Sequence, residues 1–202
     1  MSSKRIILLN GPINSGKDVL GEHLAKTLPN ATTMMFKDSL YDWAAAMASL
    51  PKEVFIPLAS ERKTKELPCQ LLPKNPKDFT RHYTPREWLI YVSEEVIKPR
   101  LGKDFFGMQS RNKMFANFSD YDTVIFTDCG FAEEVLCLTS FYEEQALLLQ
   151  IYRPGYEFGP KDSRGYVNVD KVKTVKIQND STLEAFLTKG LDIINYWEEF
   201  SK

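Results

Sequence analysis

The sequence is poor in cysteine, histidine and long apolar runs, and it carries no excess of either charge. Three cysteines (Cys69, Cys129, Cys137) and two histidines (His23, His82) occur in 202 residues. They form no C-x-x-C pair and no ligand-spaced set, which argues against a disulfide scaffold or a structural zinc site and fits a reducing compartment. No apolar stretch approaches the roughly 20 residues that span a bilayer, so no membrane association is expected. The run Ile6–Leu9 is interrupted by Asn10-Gly11, too early for a signal peptide, and a cytoplasmic protein is expected. Lys+Arg 26 against Asp+Glu 27 give a net charge of −1, which excludes a uniformly basic nucleic-acid binder. Ten glycines and eleven prolines without a period exclude collagen-like and low-complexity chains.

What is present is an ordinary globular composition, 43% hydrophobic and 26% charged, arranged as alternating apolar runs and helical patterns. KRIILLN (4–10) reads as a strand buried on both faces, followed by a Gly-containing turn and a helix over 18–28. A second strand is expected at 32–36 and a helix at 39–50. Five prolines and a cysteine break the pattern over 51–83, which reads as an irregular insertion. Thr84-Pro85-Arg86-Glu87 is a capping-box helix start, with the helix ending near Pro99. Further on, TVIFT (123–127) reads as a buried strand, 131–142 as a helix and 147–152 as a strand. A charged Gly/Pro loop (154–170), a last strand (172–177) and a helix capped by Ser181 (183–200) complete the pattern. Such alternation implies βαβ units. The expected architecture is a three-layer α/β domain with a parallel central sheet and a mostly helical or irregular insertion. The whole chain, 1–202, is one domain in this reading, with 51–120 as the insertion and 154–170 as a lid-like loop.

The motif with chemistry is Gly11-Pro-Ile-Asn14-Ser15-Gly16-Lys17-Asp18, a G-x-x-x-x-G-K phosphate loop between a buried strand and a helix. Glycines let backbone N–H groups close around phosphate oxygens, the helix N-terminus supplies a favourable field, and the lysine reaches the terminal phosphates. Gly11, Asn14, Ser15, Gly16, Lys17, Asp18 and Val19 are therefore the candidate ATP-binding residues. Asp18 stands where Ser or Thr usually ligates magnesium. It could hold Mg²⁺ through water, orient an acceptor hydroxyl as a base, or simply favour the helix N-terminus. Asp128, closing TVIFT, is the second magnesium candidate, as a carboxylate at the strand end beside a phosphate loop.

Asn10–Asp18, Lys37-Asp38-Ser39-Leu40, Thr84-Pro-Arg-Glu-Trp-Leu89 and Arg153-Pro-Gly155, taken in order, resemble the deoxynucleoside monophosphate kinases of tailed bacteriophages. The resemblance covers most of residues 5–160. It implies an ATP- and Mg²⁺-dependent kinase acting on a deoxynucleotide-type acceptor in the host cytoplasm, a homodimer being left open. It implies that Arg86 faces the acceptor's phosphate, that Lys37 and Asp38 lie on the acceptor side, and that Arg153 and Arg164 act as lid arginines. That family usually reads D-x-R after the strand, whereas here Asp128-Cys129-Gly130 puts glycine in the arginine's place. Asp128-Cys-Gly-Phe131 and Asp162-Ser-Arg164-x-Tyr166 look more like a related branch that phosphorylates 5-hydroxymethyluracil already incorporated in DNA. A hydroxymethylated base in DNA is thus the alternative acceptor.

Residues 52–114 contain thirteen Lys/Arg and eight Asp/Glu, a net of +5, and the rest of the chain is −6. With His82, Tyr83, Trp88, Tyr91, Phe105 and Phe106, this segment has the composition of a nucleotide- or DNA-binding surface. A solvated cap with an aromatic core is the competing reading, and Trp43 and Trp88 read as packing residues. Any of Asp18, Asp38 or Asp128 could take the acceptor's proton. A small-metabolite kinase, a P-loop ATPase without an acceptor and a nucleotide-binding module without turnover remain the other classes.

Overall fold

The computed structural model describes residues 4–140, 145–160, 162, 164–170 and 172–200. It divides into two compact units, one of residues up to Phe36 and from Gly107 onward, the other Lys37–Phe106.

The first unit is a parallel sheet covered on both faces. β1 (Arg5–Asn10), β2 (Ala31–Met34), β5 (Thr123–Cys129), β6 (Ala146–Tyr152) and β7 (Lys173–Gln178) pair in the order β2-β5-β1-β6-β7, every pair parallel. The continuous Ile/Leu/Val runs of β1, β5 and β6 follow from this, because central strands of such a sheet meet helices on both sides. On one face, Ile7, Leu9, Ile125 and Leu149 pack with Leu20 and Leu24 of α1 (Lys17–Thr27) and Phe186, Ile194 and Trp197 of α8 (Leu183–Phe200). On the other, Ile6, Leu8, Phe126 and Leu148 pack with Met114 of α6 (Phe105–Asn117) and Val135 and Leu138 of α7 (Ala132–Thr139). This is the three-layer α/β architecture expected from the sequence. β1 has successors on either side of it, and ligands bind outside the carboxyl ends of strands at such a switch point.

The second unit holds α2 (Lys37–Met47), α3 (Lys52–Ser60), a hairpin of β3 (Lys74–Asn75) and β4 (Asp78–His82), and a helical rod. The rod runs through α4 (Pro85–Ile90), a wide π-turn segment (Tyr91–Ile97) and α5 (Lys98–Leu101). Tyr41, Phe55, Tyr83, Trp88, Val92 and Phe106 form its own core. Trp88 is a packing residue as expected, its indole N–H donating to the Ala44 carbonyl at 2.9 Å.

Several elements differ from the sequence reading. The stretch 51–83 is not irregular throughout: Phe55 and Ala59, one turn apart, bury one side of α3 despite Pro57 inside it, and the hairpin follows. Helix α6 carries no clear apolar period and is absent from that reading. The rod continues past Pro99 because the π-turn has already left the i→i−4 ladder, with Lys98 N–H bonding Ser93. Arg100 then donates to the Glu95 and Val96 carbonyls at 3.1 and 2.9 Å, satisfying the acceptor that Pro99 cannot. Thr182, not Ser181, caps α8, its hydroxyl accepting from Ala185 N–H. The expected helix over 131–142 ends at Thr139, and residues 141 and 142 lie outside the described ones.

Candidate phosphate-binding site

The loop between β1 and α1 owes its shape to residue types visible in its motif. A Cβ at Gly11 would lie 2.7 Å from the Ile151 carbonyl oxygen, so β6 passes too close for any side chain. Asn14 and Gly16 have φ of 62° and 107°, the left-handed region that Gly and Asn tolerate best. The loop is tied from outside by two side chains. Asn179, after β7, donates to the Ser15 carbonyl at 2.8 Å, and Arg153, after β6, donates to the Asn14 carbonyl at 2.8 Å. The Arg153 guanidinium also stacks over Tyr156, 4.6 Å from the ring centroid.

Lys17 opens α1 and arches its ammonium back over the loop, donating to the Gly11 and Pro12 carbonyls at 2.6 Å each. Gly16, its N-cap, makes no side-chain cap, and the first helical hydrogen bond runs from Leu20 N–H to Gly16. The N–H groups of Lys17, Asp18 and Val19 thus open the helix without carbonyl partners inside it, the arrangement that takes an anion. Asp18 and Val19 are exposed, so Val19 contributes its backbone, its side chain being 46% exposed.

At the neighbouring strand end, Asp128 is half-buried and accepts from Phe36 N–H at 2.8 Å. Glu134 caps α7 by accepting from the N–H groups of Gly130 and Phe131 at 3.3 and 3.2 Å. Cys129 between them is fully buried. Burial foremost, then the Glu134 and Asp128 charges, push its thiol well up, while Lys17 works the other way. It is a packing residue with no thiolate to offer. Arg164 lies against this strand end, its guanidinium held by Asp162 through two bonds of 2.8 and 2.7 Å. Its pKa is raised, mainly by Asp162, with Asp128 and Glu134 adding.

For magnesium, Asp18 and Asp128 are suitable donors, because Mg²⁺ takes one or two carboxylates and completes its shell with water and substrate phosphates. Asp128 presents its carboxylate at the end of β5 with Oδ1 accepting from Phe36 N–H, the residue type and place that suit a hydrated ion. No group of three or more Asp, Glu, His or Cys suited to a metal occurs among the described residues.

Lys37, Asp38 and Arg86 lie in the second unit. Lys37 and Asp38 open α2, Lys37 approaching the Tyr41 ring, and Arg86 is exposed in the first turn of α4. Arg86 N–H donates to the Lys65 carbonyl at 3.1 Å and its guanidinium bonds Glu66 at 2.9 Å. Lys65 is the residue that sequence reasoning missed. Burial foremost, then Arg86, Arg62 and Lys37 together, hold its pKa below the usual lysine value, and Glu66 opposes them. Lys65 therefore lies in the field of Arg86, Arg62 and Lys37, with Glu66 working against them. The run Glu61-Arg-Lys-Thr-Lys-Glu66 looks like an alternating solvated segment, so nothing in it announces this convergence. The +5 found over 52–114 is a weaker signal than it looks, since the structural unit 37–106 carries twelve Lys/Arg and ten Asp/Glu, a net of +2, leaving −3 elsewhere.

The roles of Asn10 and Asn179 were also missed, and Asp162 was visible only as one residue of its motif. Asn10 could have been noticed as a buried amide closing an apolar strand; Asn179, and the grip of Asp162 on Arg164, declare themselves only through the fold.

No protein-family profile and no curated protein sequence matches the chain. Solved structures similar to it include a thymidylate kinase from Candida albicans, at 11% identity over 99% of this chain and 94% of that one, TM-score 0.47. A sugar kinase from Janibacter sp. HTCC2649 is 11% identical over 95% of both chains, TM-score 0.46. A shikimate kinase from Acinetobacter baumannii, in complex with shikimate, is 12% identical over 96% of this chain and 93% of that one, TM-score 0.45.

Proposed function

We propose that the protein is a P-loop kinase that transfers the γ-phosphate of ATP to a deoxynucleotide-type acceptor. The observation that carries this reading is the Gly11–Lys17 loop, shaped by two left-handed residues and opening a helix with Lys17 arched over it. Loop and helix N–H groups would hold the β- and γ-phosphates. Lys17 would exchange its two carbonyl partners for phosphate oxygens, which its ammonium prefers as a charged pair. Arg153, fixed to the loop at Asn14, supplies a guanidinium at its rim.

Phosphoryl transfer asks for positioning and charge stabilisation rather than covalent help. Asp18 and Asp128 are the residues that would hold magnesium, which when bound neutralises charge on the phosphates. One of Asp18, Asp38 or Asp128 would accept the proton if the acceptor is an alcohol. The acceptor's own phosphate is assigned to the cluster of Lys37, Arg62, Lys65 and Arg86, whose crowding of like charges an anion relieves.

The second reading, a kinase for the hydroxymethyl group of 5-hydroxymethyluracil in DNA, has one observation in its favour. The β3–β4 hairpin leaves Phe79 70% exposed on the same unit as that cluster, where a base could stack.

The test is ADP release by purified protein with and without acceptors. Release that depends on a deoxynucleoside monophosphate supports the first reading, and release that depends only on hydroxymethylated DNA moves the assignment to the second. Release indifferent to every acceptor would show an ATPase.

A further inference from the structure

Gly130 is a glycine for a reason of space rather than backbone conformation. Its φ lies outside the positive range, so any residue could adopt its backbone. The ideal Cβ position at 130 is occupied by another residue: it falls 2.8 Å from Arg164 Cδ and 2.9 Å from Cγ. The stem of Arg164 therefore lies directly on the Gly130 backbone at the carboxyl end of β5, two residues beyond Asp128.

The rest of the segment fixes this placement. Asn10, buried at the end of β1, accepts from Val167 N–H at 3.0 Å and donates to the carbonyls of Gly165 and Cys129, each at 3.0 Å. Gln150, buried on β6, donates to the Val167 carbonyl at 2.7 Å. Tyr166 stacks on Tyr152 with centroids 4.1 Å apart and bonds the Ile151 carbonyl through its hydroxyl. Residues 164–167 are thus pinned to the ends of three strands, unlike the flexible loop that their composition suggests. Buried amides serving a loop's backbone on two strands are costly unless fully bonded, and here both bond the same short segment.

We propose that Gly130 and Asp162 are positioning residues that seat Arg164 beside Asp128 to meet the transferring phosphate, so that the strand end receives its arginine from a distant loop. This rests on the kinase reading. Gly130 provides the surface on which the stem lies. Asp162 grips Nε and one terminal nitrogen, fixing the plane of the guanidinium and leaving its other terminal nitrogen to a ligand. Charge transferred between phosphates would be met by a cation already oriented, which is how preorganised groups act most strongly.

The experiment is a double-mutant cycle of Gly130→Ala and Asp162→Asn against Arg164→Ala, with kcat, KM for ATP and melting temperature measured for each. A Cβ at Gly130 meets the flexible stem of Arg164, and Asp162→Asn keeps the shape of a half-buried side chain, so both variants should fold. Each single variant should lower kcat about tenfold or more while KM for ATP moves less than about twofold, as expected when a catalytic group is displaced by an ångström. In the Arg164→Ala background the same substitutions should have almost no effect, because what they position is gone. Effects that multiply independently, or single variants with wild-type kcat, would overturn the proposal with the kinase reading intact. A wild type that transfers phosphate to no acceptor would overturn both.

Discussion

At the residue scale, two side chains separate packing from chemistry. Cys129 is next to a candidate metal ligand, yet its burial and its two acidic neighbours keep it a thiol. In the folded protein it should resist alkylation by iodoacetamide at pH 8 while Cys69 and Cys137, both partly exposed, react first. Mass spectrometry of the labelled peptides checks this, and early labelling of Cys129 would contradict it. Lys65 is the opposite case, a surface-run lysine held among cations. Lys65→Met should raise KM for the acceptor about tenfold by removing one charge-assisted contact, with KM for ATP unchanged. Equal effects on both constants would show that Lys65 has no acceptor role.

At the scale of elements, the site depends on how closely α1 meets the sheet. A Cβ at Gly21 would fall 2.4 Å from Thr127 Cγ2, so the helix that carries Lys17 sits on β5 with no room between. Gly21→Ala should destabilise the fold by about 1–3 kcal/mol through overpacking, and adding Thr127→Ser, which removes that methyl, should recover part of it. Urea denaturation of wild type and the two variants decides the matter. A second element-level prediction concerns the start of α4, where Glu87 completes the cap with Thr84. The Arg81 guanidinium foremost, and the Thr84 N–H after it, hold the Glu87 carboxyl down to about 2. A depressed acid stabilises the fold above its ordinary value near 4.5 and loses that contribution as pH falls toward 2. The urea midpoint of wild type should therefore exceed that of Glu87→Gln at pH 6, and the gap should narrow at pH 3. A gap that widens on acidification would refute the assignment.

The elements also show what could be read in advance. β1, β5 and β6 were legible because a central parallel strand must be apolar on both faces, and α4 because its cap is a local motif. α6 was not, since its buried side is shared among Phe106, Ser110 and Met114 rather than a clean apolar stripe. The phosphate loop was legible for the same reason as the cap: its chemistry lies in consecutive residues. The seat of Arg164 on Gly130 joins residues 34 positions apart, and only the strand order brings them together. The glycine at 130 was noticed as a missing arginine; what occupies its space could not be.

At the scale of the molecule, the net charge of −1 conceals a local grouping more than a division between large halves. The field that matters is built by Lys37, Arg62, Lys65 and Arg86, drawn from three separate stretches of one unit. A polyanionic acceptor meeting such a cluster makes several phosphate contacts, whereas a free nucleotide makes one or two. Transfer to DNA should therefore fall steeply between 50 and 200 mM salt, and transfer to a monophosphate only slightly. No helix among the described residues is long and apolar enough to cross a membrane.

The most direct test of the central claim follows the fate of γ-labelled ATP. Wild-type protein and Lys17→Met are incubated with the deoxynucleoside monophosphates and with DNA containing thymine or 5-hydroxymethyluracil. Label is expected on a deoxynucleotide-type acceptor with the wild type and none with Lys17→Met, although the variant keeps its melting temperature. Label appearing only as free phosphate, or transfer that survives the loss of Lys17, would contradict it.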